Sequence, residues 1–227
     1  RLRAIGAQTW RRHFDNRIGL AQDEARRHAT TPPAPLPAEE PLLADLPHHI
    51  VPREGSSTTL DGHGFHVKVP THLYHQGELH NLSISRGTLT EEERFKINEH
   101  IMHTSVMLER RPFPKNLQRV PEYAGTHHET LIGTGYPRKL DASKLSVPAR
   151  IMAIADIFEA LTAGDRPYKK AKPLSESVRI LHGFKRDQHI DPVLFDLFLT
   201  SGVYRRYAER FLAPEQIDGV DVALYVG

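Results

Sequence analysis

From Thr88 onward, apolar residues recur at three- and four-residue spacings broken by proline and glycine, a pattern that predicts a series of helices. Thr90 followed by Glu93 forms a capping box, and Glu91 and Glu92 add negative charge where it complements the helix dipole. This predicts a helix to about Glu109, ended by Pro112 and Pro114. Further helices are expected from Pro121 into Thr126-His127-His128-Glu129, from a Ser146 cap to about Ala163, and from Pro173 to Arg186. A last one starts at Asp191-Pro192 and runs toward Phe211, with a break near Gly202. Before Thr88 the pattern changes. Residues 1–29 carry Leu2, Ile5, Trp10, Phe14 and Ile18 at mostly helical spacing and read as N-terminal helices. Residues 30–52 are proline-rich and extended, and residues 53–86 mix glycines with short alternating stretches such as FHVKV, which suits loop and a short hairpin. The organisation expected is N-terminal helices at 1–29, a proline-rich connector or insertion at 30–86, and an all-α domain at 87–227.

Composition narrows the chemistry. The chain has 227 residues, 39% hydrophobic and 26% charged, enough for a buried core. It has no cysteine, which excludes disulfides, thiolate metal sites and cysteine nucleophiles and points to a cytoplasmic setting. Basic and acidic residues number 30 and 28 and are interspersed, so no DNA- or RNA-binding footprint stands out, and no apolar run approaches a membrane span. Histidine is the unusual count, at 15, and is a common metal ligand where cysteine is missing.

Position gives some of these residues meaning. In VPARIMAIADIFEALTA, Ile151, Ile154, Ala155, Phe158 and Leu161 form an apolar stripe, with Ala149, Ala153, Asp156, Ala160 and Ala163 on the opposite side, so the helix should be buried on two sides. A carboxylate in that alanine face needs a cation, a metal or several donors, as structural salt bridge, cap or metal ligand. On the preceding helix His100 shares a face with Ile97, Ile101, Thr104 and Leu108 and should point to the core, as a hydrogen-bonded core residue or a ligand. His127 and His128 lie about 100° apart on a helix, and serve one ion only near a helix end or with different rotamers. Histidines and an aspartate on separate helices make a nitrogen and oxygen set suited to iron, manganese, zinc or another divalent ion.

The segment HHETLIGTGYPRKL at 127–140 resembles the signature of HD-GYP domains, and ARIMAIADIFEALTAGDRPYKKAKPLSE at 149–176 is similar to their following helix and loop. The resemblance covers about residues 77–212 and implies an HD-domain-like helical bundle acting as a metal-dependent phosphohydrolase on cyclic di-GMP, giving the linear dinucleotide or GMP. It implies metal ligands at His100, His127, His128 and Asp156, and nucleotide contacts at Arg166 and Lys169. Gly135, Tyr136 and Pro137 match the GYP loop, linked to substrate contact or to docking of a diguanylate cyclase. Iron or manganese is the cofactor implied, with zinc, nickel or magnesium as alternatives, and a homodimer is a further expectation.

The departures set up a second reading. Ile132 stands where the family carries an aspartate before the glycine of the GYP loop, removing a hydrogen bond expected to fix that loop. Arg166 lies ten positions after Asp156, one more than the pattern. The His-Asp dyad that names the family is not visible, and Gly62-His63 occupies its place when VKVPTHLY is aligned. Either the dyad lies upstream of Arg1, with 30–86 as an insertion, or the domain binds cyclic di-GMP or docks a cyclase without hydrolysis.

Overall fold

The computed structural model of the chain describes residues 2–53, 62–85, 87–164 and 171–227. They group into two units, residues 1–59 with 68–99, and residues 60–67 with 100–227. The first unit is built from short pieces. Helix α1 (Leu2–Gly6), strand β1 (Thr9–Arg12), helix α2 (Gln22–His28) and strands β2 (Ala38–Pro41), β3 (Ile50–Pro52) and β4 (His72–His75) precede helix α3 (Glu78–Leu82). β1 pairs antiparallel with β2, Thr9 opposite Pro41, and β3 pairs antiparallel with β4, Ile50 opposite His75.

The spacing that reads as helical across 1–29 is thus interrupted by a strand. Trp10, Phe14 and Ile18 are 44%, 60% and 80% exposed, so they do not line a common buried face. Besides the backbone ladder, β1 is tied to β2 by Arg12, 4% exposed, whose Nε donates to Glu40 Oε1 at 2.8 Å, and by Thr9 Oγ1, which donates to Glu39 Oε1 at 2.9 Å. Histidines of this unit pair by stacking, His28 on His48 at 3.8 Å and His75 on His80 at 4.0 Å between ring centroids. Burial holds His28, His48 and His75 below the usual imidazole range, with neighbouring positive groups adding to it.

Helix α4 (Glu91–Glu109) begins as expected: Thr90 N donates to Glu93 Oε2 at 2.9 Å and Glu93 N to Thr90 Oγ1 at 3.2 Å. Its first nine residues belong to the first unit and the rest, from His100, to the second. There follow α5 (Val120–Gly125), α6 (Val147–Thr162), α7 (Leu174–Arg186), α8 (Pro192–Thr200) and α9 (Val203–Phe211), which confirm the helical reading of the C-terminal region. Ile154 and Phe158 of α6, Leu174, Val178 and Leu181 of α7, Phe195 and Leu199 of α8, and Tyr204 and Ala208 of α9 make one core. Asp191 caps α8 by accepting from Val193 N and Leu194 N, and its other oxygen accepts from Arg150 at 2.8 Å. Gly202, at φ 70°, supplies the left-handed turn between α8 and α9.

Helix α6 is covered on both its alanine side and the side of Ile154 and Phe158, as expected, and one strip of it stays open. Ala149, Ala153, Ile154, Phe158 and Thr162 are buried, whereas Ile151 is 49% exposed and lines an open groove of about 390 Å³ with Leu194, Leu197 and Val203. The small alanines are what let neighbouring elements approach, so the alanine side packs as tightly as the stripe of larger residues. Among the described residues no helix is long and apolar enough to cross a membrane.

Candidate metal centre

Helix α5 stops at Gly125, two residues before the paired histidines. Thr126 turns the chain: its Oγ1 donates to Glu122 O at 2.7 Å, and its carbonyl accepts from Glu129 N at 3.0 Å. His127 and His128 therefore sit in a turn, free of the angular separation that a continuing helix imposes. Gly125 lies where α5 meets α4, and a Cβ there would stand 2.6 Å from Ser105 Oγ, so that hydroxyl would have to shift.

His100 reaches this turn from α4, but not from its buried face. The buried stripe of α4 in this unit is Ile101, Met102, Ser105 and Val106, and His100 is exposed, which corrects the expectation that it points to the core. The phase inferred from Ile97 and Leu108 fails because Ile97 is 54% exposed while a serine occupies the buried stripe. Ser105 is tolerated there because its hydroxyl donates to Ile101 O at 2.9 Å.

Donor atoms of His100, His127 and His128 all lie within 4.8 Å of one another. His128 Nε2 is 3.3 Å from His100 Nε2, a separation at which two imidazole nitrogens share a proton or face a common cation. His127 Nδ1 is buried without a hydrogen-bond partner. A nitrogen left so costs about 1–3 kcal/mol unless something else engages it. The donor set and this orphaned atom fit a divalent ion.

Asp156, on α6, stands beside the trio rather than within it: its Oδ2 lies 3.8 Å from His128 Nδ1, beyond hydrogen-bond length. Tyr136 covers the other flank, its ring stacked on that of His128 with centroids 4.8 Å apart and planes at 17°. Burial, with the Asp156 charge adding to it, pushes the Tyr136 phenol up to about 12, so it stays protonated and able to donate. Burial pulls His128 down to about 4, aided by the charge of neighbouring His127 and opposed by Asp156. The ring is therefore neutral at pH 7, with a lone pair available to an ion.

That shift has a stability consequence for the metal-free chain. The unfolded state takes up the proton near pH 6.5 and the folded state only near pH 4, so protonation favours unfolding. Thermal melts without metal should be unaffected by His128 above about pH 7 and should lose stability between about pH 6.5 and 4, by at most about 3 kcal/mol. The same melts on His128→Asn should lack this component; an unchanged acid limb would show that His128 titrates normally.

The loop that presents Tyr136 is fixed without the aspartate missing at Ile132. Thr130 Oγ1 accepts from Thr134 N at 2.9 Å, Thr130 O accepts from Gly133 N at 3.1 Å, and Ile132 itself is 52% exposed. Glu129, 1% exposed, accepts from Arg138 N at 2.7 Å and Leu140 N at 2.9 Å. Burial raises its pKa even against these donors. Gly135 lies against the backbone of 128–130, and Pro137 is fully buried. Nothing in the sequence around Glu129 announces this role except its place directly after the histidine pair. Arg166 and Lys169 lie outside the described residues, and His63 is engaged by Glu109, at 3.1 Å, rather than joining the three histidines.

Known proteins share this arrangement of sequence. A family model described as HD domain matches residues 40–194. The chain is 33% identical over 147 residues to 3'3'-cGAMP-specific phosphodiesterase 1 of Vibrio cholerae serotype O1, covering 61% of this chain and 33% of that protein. It is 39% identical over 111 residues to 3'3'-cGAMP-specific phosphodiesterase 3 of the same organism, covering 48% and 23%. A cyclic di-GMP phosphodiesterase of Thermotoga maritima is 36% identical over 125 residues, covering 53% and 33%. The aligned part thus spans no more than a third of these relatives.

Proposed function

Because the chain belongs to the HD domain family, we propose that it carries the metal centre of a cyclic dinucleotide phosphodiesterase of the HD-GYP type, working in cytoplasmic signalling. The observation that carries this reading is the convergence of one ring nitrogen each from His100, His127 and His128 within 4.8 Å. Asp156, facing the same His128 ring, is the fourth ligand proposed, and iron or manganese the ion.

A divalent ion held there supplies Lewis-acid polarisation of a phosphodiester and acidifies water. The protein's part is to hold substrate and charge. His128 is neutral at pH 7 and offers its lone pair without first losing a proton. Tyr136, kept protonated, donates its hydroxyl to an anionic oxygen on the face of the cluster that it covers. Arg166 and Lys169 are proposed to neutralise the diester, and the GYP loop to serve as a docking point for a diguanylate cyclase. Relatives are named for cyclic di-GMP and for 3'3'-cGAMP, so either is the substrate to try.

The engagement of His63 with Glu109 favours a second reading, in which the domain binds the dinucleotide without cleaving it. Metal content and hydrolysis of both dinucleotides, measured on this chain and on the longest native chain that contains it, separate the two. The proposal expects bound metal and a linear dinucleotide product from at least the longer chain. Metal-free, inactive protein in both would leave the binding reading.

A further inference from the structure

The GYP loop is gripped from two sides, and one residue takes part in both. Towards the metal centre, Arg138 N donates to Glu129 Oε1 at 2.7 Å, and Tyr136 N donates to His128 O at 3.2 Å. Away from it, the Arg138 side chain reaches two other parts of the same unit. Its Nε donates to His63 O at 3.0 Å, its Nη2 pairs with Glu109 Oε1 at the end of α4, and its guanidinium lies over Phe65, 5.1 Å from the ring centroid. The remaining oxygen of Glu109 meets His63 Nδ1 at 3.1 Å, and His66 N donates to Pro137 O at 2.7 Å. Residues 62–67 thus form a strap tied to the loop at Pro137 and Arg138.

The network is screened from solvent enough to matter. The side chains of Arg138, His63 and Glu109 are 20%, 23% and 34% exposed. Burial would raise the Glu109 carboxyl, yet Arg138 and His63 together hold it below the usual range. A planar guanidinium is what the geometry demands: it donates to a carbonyl and a carboxylate in different directions while one face rests on an aromatic ring. A lysine ammonium keeps the charge but loses the fixed fork and the flat face.

We propose that Arg138, braced by Glu109 and the 62–67 strap, is a positioning residue that sets the Tyr136 ring on His128 and so governs how a cyclic dinucleotide is held. A single residue, Pro137, separates Tyr136 from Arg138, and it is bonded to the strap. Loosening the strap therefore frees the loop on the side away from the metal ligands and leaves the histidines in place. The part concerning substrate rests on the phosphodiesterase reading; the part concerning the loop does not.

Arg138→Lys is the informative variant, because it preserves charge and removes the fork. Amide hydrogen exchange at 134–138 should quicken about tenfold, as for an opening made easier by about 1.4 kcal/mol, with exchange in α6 unchanged. Metal content should stay at the parent level, and KM for cyclic di-GMP or 3'3'-cGAMP should rise about tenfold with kcat within about twofold. Phe65→Leu should give the same pattern more weakly, since it removes only the flat support. Parental exchange and KM in Arg138→Lys would overturn the proposal, and so would metal and kcat lost together, the mark of a general collapse. If neither this chain nor the longest native chain that contains it turns a dinucleotide over, the phosphodiesterase reading fails and loop exchange alone decides: quickening supports the positioning role, and parental rates overturn it.

Discussion

Replacing His127 with alanine is expected to abolish metal binding while leaving the fold nearly as stable as before. The two halves of that expectation come from the same atom. His127 Nδ1 is buried with no hydrogen-bond partner, so the metal-free chain bears a penalty of about 1–3 kcal/mol that alanine removes. Loss of the half-buried ring's contacts works in the opposite direction, and the metal-free variant should unfold within about 1 kcal/mol of the metal-free parent. With metal the two diverge. Removing a group that merely orients a ligand costs about 10–100-fold in metal affinity or activity, and removing a donor from a three-histidine set should cost at least as much. The parent should gain melting temperature on titration with iron or manganese, and the variant should not. A variant that kept its metal and its metal-dependent stabilisation would remove His127 from the centre.

The second large effect should come from Gly135→Ala. A Cβ at this position would lie 2.5 Å from Glu129 Cα and from His128 O, and 2.7 Å from Thr130 N. All three are backbone atoms of the turn that carries the histidines, so no flexible side chain exists to swing aside. Overpacking of ordinary cores costs about 1–3 kcal/mol, and here the upper end or more is expected in urea unfolding. Activity should fall further than stability, because relief of the clash must move the GYP loop away from His128 O or move His128 itself. A crystal structure of the variant should show the Tyr136 and His128 rings no longer stacked at 4.8 Å. Unchanged stability with the stacking preserved would show that the loop has slack that the present contacts do not reveal.

The helices beyond Thr90 were legible because their signals are local. A capping box, prolines at first-turn positions and Asp191 before Pro192 each act within one turn, and each is made in the structure as the sequence suggests. The histidine pair was expected within the helix from Pro121, which instead stops at Gly125, so the end of that helix was not legible. Nor was the orientation of His100, because a buried stripe that includes a serine bonded to its own helix has no clear apolar phase. A short hairpin was expected in 53–86, but the strands of the first unit could not be placed because they are three or four residues long, and β4, His-Leu-Tyr-His, is half-buried throughout rather than alternating. Least legible of all was the bracing of the loop. Arg138 meets Glu109 and His63 across 29 and 75 residues of chain, and no local pattern announces a pairing at that range.

Small residues also set the spacing of the three histidines. Gly125, in the last turn before the histidine pair, abuts Ser105 on α4, so the gap between the helix bearing His100 and the turn bearing His127 and His128 is calibrated by a hydrogen atom facing a hydroxyl. First-row ions hold imidazole nitrogens at about 2.0–2.1 Å, and ions differ in how much variation around such distances they accept. Widening that gap by a methyl group would spread the bite of the three donors without touching any of them. Any ion held by the three histidines would then depend on a pair of residues outside the donor set.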